Sequence, residues 1–168
     1  LKQVRISADL LRSCLAYSAW ASARLITAAS RLSADQLTRD FGTADKNIIG
    51  TLAHIFGADR IWLGRVRGQG PGQMVGSEYH DLARLRSEWP LLHQGWADWA
   101  AQLSDDQCAQ ELTYQDLTGR TWTNPLSVIV LHVVNHGTHH RGQIAGFLRS
   151  MGHVPPKLDL IAYYREVA

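Results

Sequence analysis

Eight histidines stand in a chain of 168 residues, and four of them fall close together: His132, His136, His139 and His140. On a helix turning about 100° per residue, His140 lies about 40° to one side of His136 and His132 about 40° to the other. Three imidazoles therefore share one face. Ile129, Val133, Ile144, Phe147 and Met151 fall within roughly 80° of His136 on the His140 side, so His140 is central to an apolar stripe and His136 borders it. His132 and His139 lie towards its edge. Neighbouring imidazoles on such a face each need partners for their polar nitrogens, and they repel one another when charged. A metal ion meets both demands, because neutral imidazoles at i and i+4 can bind one divalent ion, at about 2.0–2.1 Å for zinc.

Two ligands from one helix hold an ion poorly, so a third is expected from a neighbouring helix with small facing residues. His54, in Thr51-Leu52-Ala53-His54-Ile55-Phe56-Gly57-Ala58, fits, with Gly50, Gly57 and Ala58 leaving space for an ion and a substrate. Taken singly, each histidine is more often a hydrogen-bonded structural group. The paired spacing is what favours ligation. His80, His93 and His153 have no partner at ligand spacing and read as solvated.

Four long helices are expected to carry these residues. The first runs from about Ser7 to Arg31, rich in Leu and Ala and free of Gly and Pro. Ser33 and Gln36 form a capping box that opens a short helical turn, and Thr43 or Asp45 would cap the second long helix, about Asp45 to Arg67. Gly68-Gln69-Gly70-Pro71-Gly72 stops it. The third, about His80 to Leu103, carries Leu82, Leu85, Trp89, Leu92, Trp96 and Trp99 on one face, with a kink expected at Pro90. Glu111 to Gln115 and Arg120 to Thr123 read as two short strands. Asn124 capping and Pro125 in first position would start the fourth helix, which continues to about Ser150. Asp159 to Glu166 adds a small terminal helix. The expectation is an all-α four-helix bundle in a single domain, residues 1–168, with a short β-hairpin before the last long helix. The second long helix is apolar on more than one face, so it packs either on two helices of its own bundle or on a second subunit.

Composition narrows the function. The chain is 45% hydrophobic and 19% charged, as an ordinary folded domain is, and at this length it needs no metal merely to fold. No apolar run approaches the ~20 residues that cross a bilayer, and the amino end does not read as a signal peptide. A net charge of +2 is too small for a nucleic-acid footprint. Cys14 and Cys108, far apart and without CxxC spacing, suit reduced thiols in the cytoplasm.

The stretch from Leu131 to Ile144, Leu-His-Val-Val-Asn-His-Gly-Thr-His-His-Arg-Gly-Gln-Ile, resembles the signature of the DinB family of bacterial damage-inducible proteins. Trp20, the run Thr51 to Ile55 continuing to Ala58-Asp59-Arg60-Ile61-Trp62, and the ending Asp159-Leu160-Ile161 support the resemblance, which covers nearly the whole chain. It implies an up-down-down-up bundle, commonly a homodimer, with a divalent metal held by three histidines. The family's ligand positions fall on His54, His136 and His140. Asn135 and Gln143, with His132, His139 and Arg141, match positions that are not usually ligands, and these last three are expected to stand just behind the metal. The broader group to which the family belongs is similar to bacterial thiol transferases that use mycothiol, bacillithiol or related small thiols.

Three neutral ligands leave an ion its full charge and an open position, the arrangement of catalytic rather than structural zinc. Such an ion lowers the pKa of water or of a thiol. Gly137 stands where the glutamate of HExxH would be, which removes the metalloprotease mechanism, and there is no GxSxG, P-loop or dinucleotide fingerprint. Three readings follow: a metal-dependent transferase or hydrolase, with the segments Gly68 to Tyr79 and Tyr114 to Trp122 selecting the substrate; a non-catalytic metal-binding stress-response protein; and a DNA-associated repair factor, which the charge disfavours. Zinc is the expected metal, with nickel, iron or manganese as alternatives.

Overall fold

Side-chain caps set where the first five α-helices of this chain begin. In a computed structural model describing residues 6–167, Ser7 caps α1 (Ala8–Ala29), accepting from the Leu10 N–H. Ser33 and Gln36 form the expected capping box on α2 (Ala34–Thr38). Asn47, rather than Thr43 or Asp45, caps α3 (Ile48–Val66) through the Gly50 N–H. Residues before Asn47 are held in a turn, so the helix starts later than its apolar pattern suggests. Asp81 caps α4 (Leu82–Ala101), which continues through Pro90. After α5 (Asp105–Cys108), strands β1 (Glu111–Gln115) and β2 (Thr121–Pro125) pair antiparallel, from Glu111 against Pro125 to Gln115 against Thr121. This pairing takes Asn124 and Pro125 into the hairpin. Asn124 therefore does not cap α6 (Leu126–Ser150), which starts directly from Pro125 with no side-chain cap. The last element of the described residues is α7 (Leu160–Val167).

The long helices form a four-membered ring in which α1 and α3 each pack between α4 and α6. Directions follow from contacts at their ends. Arg12, early in α1, donates to the carbonyls of Ala100 and Leu103 at the end of α4, so these two run antiparallel. Asp59 takes the Trp89 indole N–H and, further on, Arg67 donates to the Gly95 carbonyl, so α3 and α4 run parallel. His54 meets His140 while Trp62 meets His132, so α3 and α6 are antiparallel. The result is the up-down-down-up order. Among the described residues, no helix is long and apolar enough to cross a membrane.

Two apolar clusters fill the interior. One gathers Leu25, Leu52, Ile55, Phe56, Leu85, Trp89, Ile144 and Leu148; the other gathers Leu11, Leu15, Leu63, Trp96, Cys108, Val130 and Val133. Between them every long helix contributes a polar side chain: Ser18 and Ser22 from α1, Asp59 from α3, His93 from α4 and Arg141 from α6. The Arg141 guanidinium donates to Ser18, Ser22, Thr138 and the Val134 carbonyl, while the Asp59 carboxylate accepts from Trp89 and its carbonyl from Trp96. His93 belongs to this layer and is not solvated: its ring stacks on Trp89, and its Nε2 lies 3.8 Å from Asp59. His153 meets Gln36 at 3.0 Å, and His80 is exposed. The small-residue side of α3 is covered from within the chain, since Gly57 lies against Met74 and Val75, and Gly72 against Ile61.

Glycines of α6 give a direct test of the polar layer. A Cβ on Gly137 would stand 2.7 Å from the Arg141 guanidinium, which is buried and held by hydrogen bonds from both terminal nitrogens, whereas one on Gly142 meets nothing within 4 Å. Gly137→Ala should cost about 1–3 kcal/mol, and Gly142→Ala should add about 0.5–1 kcal/mol. Urea unfolding of the two variants measures the contrast.

Candidate metal centre

His54 projects from the middle of α3, and His136 and His140 from successive turns of α6, onto the seam where these helices cross. The Nε2 atoms of His54 and His136 are 3.1 Å apart. The ring centroids of His54 and His140, and of His136 and His140, are each separated by 4.5 Å, and those of His54 and His136 by 5.1 Å. One nitrogen from each of the three lies within 4.8 Å of the others, close enough to hold one ion. Bonds of about 2.0–2.1 Å place two nitrogens on a shared ion about 3.0–3.4 Å apart, so the observed spacing fits.

Electrostatics point the same way. Burial, reinforced by the neighbouring His140, His54 and His132, pushes the His136 pKa down to about 4. Burial also lowers His140, against the opposing effect of a 2.8 Å hydrogen bond between its Nδ1 and the Gln143 Oε1. These imidazoles are thus kept neutral near pH 7, the form that binds metal.

The residues expected behind the ligands divide. His132 and His139 flank the trio, with ring centroids 5.8 Å from His136 and 5.0 Å from His140 respectively. Arg141 instead turns to α1, and none of its hydrogen bonds reaches the three histidines. The row continues outward from His132 to Trp62 at 5.3 Å and from Trp62 to Tyr114 of β1 at 5.0 Å. The Arg65 guanidinium lies over both Trp62 and Tyr114. Tyr114 is therefore the residue of the expected substrate-selecting segments that connects to the histidine row. Trp122 pairs with Asp116 at the hairpin turn, and the preceding segment packs on α3 through Met74 and Val75.

Asp45 was not expected here. Its carboxylate lies 3.4 Å from Nδ1 of His54 and 3.8 Å from Nδ1 of His140. A helical pattern cannot place it, because it precedes α3 in a turn. The one available signal was an acidic residue shortly before a ligand-bearing helix.

A four-helix bundle whose antiparallel α3 and α6 bring three histidines to one point defines a class of helical bundle with a site that could hold a metal ion. The model of the DinB family matches residues 7–166, and the chain belongs to that family. It is 21% identical over 155 residues to protein DinB of Bacillus subtilis (strain 168), covering 88% of this chain and 89% of that protein. It is similar in fold to the crystal structure of a DinB-like protein from Bacillus cereus ATCC 10987, with a TM-score of 0.67, 17% identity, and coverage of 92% of this chain and 99% of the other.

The depressed His136 pKa has a measurable consequence. An unfolded histidine titrates near 6.5 and His136 near 4, so between these values the unfolded state binds more protons. Stability of the metal-free protein should be fully present above about pH 6.5 and fall as the pH drops towards 4. His136→Gln should flatten that slope, as thermal melts across the range will report.

Proposed function

We propose that the chain binds one divalent metal ion through His54, His136 and His140 and acts as a metal-dependent transferase or hydrolase on a small thiol or water. The meeting of three imidazoles from two helices at one point carries this reading. A divalent ion held there supplies Lewis acidity, and zinc is the first expectation, with nickel, iron or manganese as alternatives because imidazole accepts them all.

The chain's own residues explain the rest. Burial at the seam holds His136 deprotonated, so the ligand set stays intact at neutral pH. Cys14 and Cys108 are unsuited to serve as the thiol, because burial raises both pKa values and thiolate is the reactive form. The thiol is therefore an external, low-molecular-weight one. His132, Trp62 and Tyr114 form the wall along which its electrophilic partner would lie. A cytoplasmic setting and a role in stress response belong to the same proposal, and the net charge of +2 gives no support to DNA binding.

The alternative is a non-catalytic protein whose ion steadies the bundle. The two apolar clusters speak against it, since none of the three histidines is a member of either. Accordingly, the chelated protein should remain helical by circular dichroism while losing conjugation of a bacterial thiol to an electrophile, and His136→Ala should lose the ion by metal analysis. Helicity that collapses on chelation, with no turnover for any thiol, would establish the structural role instead.

Homodimerisation is also proposed, on the family's habit alone, because the second face of α3 is already covered by Met74 and Val75. Sedimentation at micromolar concentration should show a species of twice the 18.7 kDa chain mass. A monomer alone rejects the pairing.

A further inference from the structure

We propose that Asp45 is the positioning carboxylate of this centre, facing Nδ1 of both His54 and His140 so that their Nε2 atoms are left to bind the ion. The inference rests on the metal-binding reading above and adds a residue from outside the three-histidine motif. His54 turns Nε2 towards His136 at 3.1 Å and Nδ1 towards Asp45 at 3.4 Å, so the two ring nitrogens have opposite surroundings. In His140, Nδ1 lies 2.8 Å from the Gln143 oxygen and 3.8 Å from Asp45. Both of these neighbours are acceptors, which assigns the proton to Nδ1 and the lone pair to Nε2. One carboxylate thus addresses ligands on two different helices.

The backbone around Asp45 is built for this aim. Lys46 adopts φ 61°, and the Asn47 N–H closes on the Asp45 carbonyl at 2.7 Å, a tight turn through a left-handed residue. Such a conformation is costly for a side-chain-bearing residue and persists where surrounding structure enforces it. Gly50 permits the turn to fold onto α3, since a Cβ there would stand 2.4 Å from the Asp45 carbonyl oxygen. Among the described residues the Asp45 carboxylate accepts no hydrogen bond, and the His54 and His140 rings are its ion-pair neighbours.

Outer partners of metal-bound histidines fix ring orientation and raise ligand basicity, and losing one typically weakens metal binding by about 10- to 100-fold. The test measures zinc affinity by competition with a chromophoric chelator in the full chain, for wild type, Asp45→Ala and Asp45→Asn. Nitrogen-15 spectra of the metal-free proteins report the histidine tautomers. Asp45→Ala should bind zinc at least about tenfold more weakly at unchanged stoichiometry, with His54 spread over both tautomers. Asp45→Asn keeps an accepting oxygen without the charge, so it should retain the tautomer and recover part of the affinity. Unchanged affinity in Asp45→Ala overturns the proposal, as does a wild-type His54 protonated on Nε2. If Asp45→Ala misfolds, the wild-type spectrum and the Asp45→Asn affinity decide alone. Failure of wild type itself to take up zinc would sink the metal reading, and this proposal with it. That outcome is distinct because it arises before any substitution.

Discussion

The antiparallel crossing of α3 on α6 is the constraint on which the rest depends. Three imidazoles brought this close repel one another when charged, and burial holds His136 and His140 towards the neutral form. His140 turns one nitrogen to Gln143, His54 turns one to Asp45, and Nε2 of His54 and His136 face each other. A shift of one residue along either helix would rotate a ligand by about 100° and break the set. Something must therefore hold the register of the two helices.

That role falls to the polar layer between the two apolar clusters. Apolar packing alone tolerates many registers, whereas a buried charge tolerates few, because every misplaced alternative leaves it unsatisfied. Arg141 is nearly completely buried and finds its partners on α1 and its own helix, with Gly137 making the room it needs. Asp59, equally buried, is tied to two tryptophans of α4. The seam bearing the three histidines is thus braced from behind by side chains that hydrogen-bond to none of them.

The helical parts of this arrangement could be read from the sequence because helices write their faces at a fixed period. His136 and His140 followed from a spacing of four, and His54 from its small-residue surroundings. His93 could have been placed the same way: it lies four after Trp89 and three before Trp96, on the apolar face, yet its polarity suggested solvent. Arg141 is expected near the ligands from its place in the family's motif, but it follows His140 directly, and adjacent helical residues point about 100° apart. Asp45 lay beyond such reasoning, since its position depends on a left-handed turn at Lys46 that no periodicity announces. Pro125 illustrates competition between elements, where strand pairing with Glu111 prevailed over a good helix-start signal.

The separation of the ligands along the chain also bears on when they meet. His54 is synthesised well before the helix that carries His136 and His140, and α4 and the hairpin come between. Contacts so distant in sequence close late in folding, after the entropy of the intervening loop has been overcome. A nascent chain therefore presents one histidine of the set for most of its synthesis, and then a pair, before the trio exists. For the ion proposed above, selection among competing metals would be deferred to the finished bundle, whose fixed geometry can discriminate where a flexible chain could not.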